Sequence, residues 1–210
     1  MSTAVIETAK PQTLAAKLFA NEELPLEQRV DVTVDELEKL ALPLPAELYN
    51  GKVVFKMANP THAAIQFTVG GELYIYLKKN PIGKAFTEAY FKLWPERNDE
   101  ARIPDVSFIL KERLPKNFLR IPAMAPDLAV EILSPTDSFE ATLEKVDEYL
   151  RQGTQIVWVV IASTREAIVC TAKGKHFIKD MLAAPELLPG FELPLSTVFA
   201  GLEAPSPKAE

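Results

Sequence analysis

The chain is short of the residues that most often mark a site. It has one cysteine, two histidines and eight glycines in 210 residues. The lone Cys170 cannot close an intrachain disulfide, and with two histidines it makes no Cys/His zinc cage. Neither the glycine pattern of dinucleotide-binding folds nor the phosphate-loop motif occurs, which argues against a nucleotide cofactor. No apolar run approaches the ~20 residues of a membrane-spanning helix, and the N-terminus lacks a basic start followed by an apolar stretch. A cytoplasmic protein without membrane association is expected. Basic charge is also scarce: 23 Lys and Arg against 29 Asp and Glu leave a net charge of −6. A typical duplex binder is basic, so bulk charge argues against a nucleic-acid partner unless a bound metal inverts the local field.

What is present is ordinary globular composition, 48% hydrophobic and 25% charged, enough for one domain. The expected organisation is an N-terminal leader over 1–30 with a short helix at 14–20, a domain over 31–200, and a polar tail over 201–210. Thr33 to Glu36 reads as a capping box opening a short helix. AELYNGKVVFKM is a hairpin around Asn50-Gly51. Residues 60–79 read as a helix broken by Asn80-Pro81-Ile82-Gly83, and 85–94, 103–110 and 126–133 as three strands. A helix over 137–152 follows, capped by Asp137 and Glu140 and stopped by Gly153. TQIVWVVIA (154–162) is β-branched throughout and reads as a strand buried on both faces. EAIVCTA and KHFIKD form a further hairpin. The order helix, three strands, helix, strand, with a hairpin at each end, predicts a mixed α/β fold with helices packed on a mixed sheet.

Two acids stand out. Asp105 opens the second strand of the three and Glu131 sits inside the apolar third, where a carboxylate is costly unless paired, hydrogen-bonded or metal-bound. Alternation puts Leu128 and Val130 on one face and Ala129 and Glu131 on the other. If the two strands pair, the acids share one site suited to Mg²⁺. The other reading is a strand-start Asp and a Glu paired with a base. Lys145, fourteen positions after Glu131, lies on the next helix beside Thr142 and Tyr149 and is long enough to reach the acids; it also has Glu144, Asp147 and Glu148 as surface partners. Trp158 and Tyr149 read as core, and Cys170 as inert filler. Ser134 and Thr136 read as turn and cap residues, with a phosphate contact as the alternative.

PDLAVEILSPTDSFEATLEKVDEYLRQGTQIVWVV resembles the signature of the Uma family of restriction-endonuclease-like proteins, within the PD-(D/E)XK nuclease superfamily. AELYNGKVV, Pro60-Thr61-His62, RIPDVSFI and LLPGFELPLSTVF resemble other segments of that family, so the likeness runs from about Val32 to Phe199. The resemblance implies a restriction-endonuclease-like core with Asp105 and Glu131 as metal-binding acids and the Ile132 carbonyl as a further ligand. The superfamily's usual lysine position holds Leu133 here, and Lys145 takes that role on the following helix. Glu47 matches a recurrent hairpin acid, as a metal or water ligand or as a lysine's partner. His62 is a substrate contact or general base, or a cap.

The expected function is hydrolysis of DNA phosphodiester bonds with Mg²⁺, or Mn²⁺ in its place, and Asp105, Glu131 and Lys145 as the catalytic set. A homodimer would suit double-strand cutting. Loop 111–122, with four basic residues and one acid, is the candidate lip for phosphate contacts. Two rival readings remain open: a non-catalytic binding or assembly protein on the same scaffold, and a metal-dependent hydrolase of small phosphoesters.

Overall fold

A computed structural model describes residues 25–202 except Thr136. The expected helix at 14–20, the role read for Thr136 and the tail beyond residue 202 lie outside the described residues. No described helix is long and apolar enough to cross a membrane.

The architecture is mixed α/β, as the sequence predicts. A short helix α1 (Val34–Leu37) is capped by Thr33, whose side chain accepts from Glu36 N–H. Strands β1 (Ala46–Tyr49) and β2 (Lys52–Phe55) form an antiparallel hairpin turning at Asn50-Gly51, both with positive φ (47° and 76°). That backbone matches the twist of the flanking strands, which is why Asn-Gly occurs there. Helix α2 (Pro60–Lys79) starts with Pro at its first position and Asn59 as cap, and Ile65, Val69, Leu73 and Leu77 make one four-spaced buried stripe.

The central sheet holds β3 (Gly83–Thr87), β4 (Val106–Leu110), β5 (Leu128–Leu133), β6 (Ile156–Ile161), β7 (Glu166–Thr171) and β8 (Gly174–Ile178), in that spatial order. Only the β5–β6 pair is parallel, joined across helix α3 (Phe139–Arg151); all others are antiparallel. Helix α2 covers one face of the sheet and α3 the other. A small pair, β9 (Met181–Ala183) with β10 (Glu192–Pro194), and the turn of helix α4 (Leu195–Val198) close the α2 face.

Three expectations need correction. The strand expected over 85–94 runs from 83 to 87: Glu88 takes a positive φ of 50° and ends it, while Phe91 makes only an isolated bridge to Arg102. Gly83, read as part of a break, pairs with Leu110 as the first residue of the strand, and only glycine fits there because a Cβ would overlap the Ile109 carbonyl of β4. Helix α3 is capped by Ser138 rather than Asp137; the Asp137 carboxylate instead accepts from Ser134 N–H and Oγ–H at 2.8 and 2.5 Å, locking the turn ahead of the helix. The hairpin expected after 162 exists, but as β7–β8 it extends the central sheet.

Candidate active site

Strands β4 and β5 pair with Val106 opposite Val130, and Asp105 N–H donates to Val130 O at 2.9 Å. One step along that register sets Asp105 across from Glu131. Both project on the α3 face, because Val106, Val130 and Ile132 take the other face against α2. The two acids expected to meet do meet, both almost wholly buried.

Four elements converge on them. From α3, Lys145 places Nζ 2.9 Å from Glu131 Oε2 and 2.5 Å from Glu47 Oε1. One turn on, Tyr149 OH donates to Glu131 Oε1 at 3.0 Å. From the N-terminal hairpin, Glu47 Oε1 also accepts from Ile103 N–H at 2.7 Å and Oε2 from Tyr49 OH at 2.7 Å. Lys56, just past β2, puts Nζ 2.6 Å from Asp105 Oδ1 and 2.8 Å from Ile103 O. From the first turn of α2, His62 Nε2 lies 3.3 Å from Asp105 Oδ1, and Gln66 Nε2 donates to Asp105 O at 2.9 Å. Ile132 contributes its N–H, which donates to Asp105 Oδ2 at 2.6 Å. The site opens into a cavity of about 640 Å³ whose wall includes Lys56, His62, Asp105, Glu131, Thr142 and Lys145.

Three carboxylates thus face two ammonium groups, with the His62 ring beside Asp105, in a buried setting. Burial works against ionisation of Asp105, but His62 and the charge of Lys56 outweigh it and hold the carboxyl well below its usual range. Glu47 is likewise held down, against burial, by Lys145 and Lys56. Glu131 goes the other way: burial, with the charges of Asp105 and Glu47, pushes it up to about 7 despite the lysines. It is the least compensated of the three. Burial opposes the charge on Lys145, yet Glu131 and Glu47 keep it protonated well above the ordinary lysine value. Burial and Glu131 raise Tyr149 well above the phenol range, so its hydroxyl remains a donor.

A second buried network fixes this geometry from behind. The Arg102 guanidinium grips Glu148 of α3 through Nε (2.8 Å) and Nη2 (3.1 Å). Its Nη1 donates to Glu100 and to Leu48 O of β1, both at 2.6 Å, and the group lies 3.6 Å from the Tyr49 ring centroid. Arg102 therefore ties α3 to the hairpin, and with it Lys145 to Glu47.

The structure brings together all the singled-out residues: Asp105, Glu131, Ile132, Lys145, Glu47 and His62. Lys145 pairs with the acids and not with Asp147 or Glu148, which hold Lys175 and Arg102. His62 is no surface cap; its N–H is capped by Asn59 while its ring turns inward. Sequence reasoning missed Lys56, Tyr49 and Arg102, and read Tyr149 only as core. Tyr149 is fully buried, but its hydroxyl belongs to the site. A weak signal existed for Tyr149: it is four residues after Lys145, on the same helix face. Among the described residues no group of three or more His, Cys, Asp and Glu is arranged to hold a metal ion.

A crystal structure of a putative nuclease belonging to DUF820 from Anabaena variabilis superimposes with a TM-score of 0.69 at 24% identity, covering 80% of this chain and 98% of that one. At that identity the likeness shows the fold, which is the restriction-endonuclease-like one. No curated protein matches the chain. A family described as "Putative restriction endonuclease", Uma2, matches residues 34–196, a span that holds every residue of the cluster. The chain belongs to the Uma2 family.

Proposed function

We propose that the chain is a divalent-metal-dependent endonuclease that hydrolyses DNA phosphodiester bonds. The observation that carries this reading is the convergence of Asp105, just ahead of β4, with Glu131 of β5 and Lys145 of α3, at the wall of one cavity. The family and the nuclease neighbour support the reaction class.

The donor set fits Mg²⁺ or Mn²⁺. It consists of hard carboxylate oxygens, three carboxyl groups against two ammonium groups. Mg²⁺ is commonly held by one or two carboxylates, with water and substrate phosphate filling the remaining positions. Asp105 and Glu131 would hold the ion, with the Ile132 carbonyl as a further ligand, and the ion would polarise the scissile phosphate and lower the pKa of a bound water. The chain's own groups do the rest. Lys145, kept protonated, orients the attacking water or neutralises the charge that grows on the phosphate. Glu47 and Tyr149 fix the ammonium and the Glu131 carboxylate, so both are preorganised. Lys111 and Lys116 in the loop after β4 supply phosphate contacts beyond the cavity; Arg113 and Arg120, expected to join them, are held instead by Asp127 and Glu38.

The test is cleavage of supercoiled plasmid and single-stranded DNA with Mg²⁺ or Mn²⁺. Wild type should nick; Asp105→Ala should not; and Lys145→Met should lose roughly 100- to 1,000-fold in rate while its circular dichroism stays native. Unchanged cleavage by Lys145→Met removes that residue from the mechanism. Absence of cleavage and of metal-induced stabilisation in wild type overturns the reading.

A further inference from the structure

Lys56 has no part in the reading of the sequence, yet it holds the position a cation would want. Its Nζ lies between a carboxylate oxygen, Asp105 Oδ1 at 2.6 Å, and a backbone carbonyl, Ile103 O at 2.8 Å. An anionic and a neutral oxygen of this kind are the donors that a hard divalent cation selects. We propose that Lys56 is the counter-ion that a divalent cation displaces from Asp105. The inference rests on the metal-dependent reading above.

Charge sets the exchange. Glu47, Asp105 and Glu131 bring three negative charges, and Lys56 and Lys145 bring two positive ones. A divalent ion added beside both lysines would leave the cluster with excess positive charge in a buried setting. With Lys56 withdrawn, the ion and Lys145 balance the three carboxylates.

Geometry decides which lysine yields. The Lys145 side chain is 9% exposed and clamped between Glu131 and Glu47. The Lys56 side chain is 21% exposed, lines the cavity and follows the last residue of β2. Its backbone N–H stays anchored to Pro45 O at 2.8 Å. The side chain can therefore turn into the cavity without unmaking the hairpin.

The experiment is calorimetric titration of the full chain with Mn²⁺ alone, at fixed ionic strength, for wild type, Lys56→Met and Lys52→Met. Lys52 is exposed on the same hairpin and controls for the loss of one charge. Lys56→Met should bind Mn²⁺ about tenfold tighter than wild type, although its metal-free melting temperature falls. Lys52→Met should stay within about twofold. A purely structural role for Lys56 would weaken metal binding, not strengthen it. If Lys56→Met does not fold, Lys56→Gln is read in its place. Wild type that binds Mn²⁺, with Lys56→Met no tighter or with Lys52→Met equally tightened, overturns this inference and leaves the nuclease reading standing. No Mn²⁺ uptake by wild type or by either Lys56 variant overturns both.

Discussion

The two faces of the central sheet are built from alternate residues of the same strands, yet they have opposite chemistry. Toward α2, Val106, Phe108, Leu128, Val130, Ile132 and Trp158 meet Ile65, Val69 and Leu73 in a layer without charged groups. Toward α3, Ile109, Ala129 and Leu133 form a comparable layer with Val146 and Tyr149, but Asp105 and Glu131 interrupt it at one end. Neighbours one residue apart, Val130 and Glu131, thus face oil on one side and a salt-bridged cavity on the other. Period-two geometry lets a fold keep its stability and its chemistry on a single strand. The apolar face holds the strands; the other can then carry groups whose burial alone would be unfavourable.

The largest test of this contrast moves a charge to the wrong side. Val130→Asp buries a carboxylate with no partner on the α2 face, and no cooperative urea transition should remain by circular dichroism. Leu73→Ala, which opens the middle of the α2 layer, should cost about 2–5 kcal/mol in urea unfolding and leave Mn²⁺ affinity unchanged. A pH series separates the faces more finely. Glu131 rises from an ordinary 4.5 to about 7, so between those values the folded state keeps a proton that the unfolded state releases. Stability of the metal-free protein should then fall as pH rises through that window. The depressed Asp105 and Glu47 act below the ordinary carboxylate range and do not cancel this slope. Urea midpoints from pH 5 to 7.5 should show it in wild type, and Glu131→Gln should flatten it. Metal uptake should run the other way and weaken below about pH 7, since the ligand must lose its proton. The smallest effect belongs to Ser107→Ala. Its buried hydroxyl has no hydrogen-bond partner among the described residues, and its loss should shift stability by less than about 1 kcal/mol.

Much of this was legible in the sequence because it is local. Asn50-Gly51 specifies a hairpin, the Ile65-Val69-Leu73 spacing a helix, and the β-branched run 156–161 a buried strand. Asp105 and Glu131 were found because carboxylates flanking apolar strands demand a partner. The errors come from terms that spacing does not carry. Alternation continues through Ala89 and Phe91, but the positive φ at Glu88 ends the strand before it. Lys56 was invisible because a lysine at a hairpin end reads as solvated, and its partner lies 49 positions away. Arg102 is fully buried in a way no scale anticipates, because aromatic rings and two acids from separate elements enclose it.

The Arg102 tether and the Glu47–Lys145 pair carry a consequence for how the protein is made. A nascent chain that has emerged only as far as β5 contains Glu47, Asp105 and Glu131 with Lys56, but neither Lys145 nor the helix that Arg102 grips. Three carboxylates then repel one another with a single cation between them, and their closure must await residues 139–151. Long-range contacts of this kind form late and slowly. The full cluster comes into being only when the domain is nearly complete, so a partly synthesised chain carries the scaffold before it carries the site.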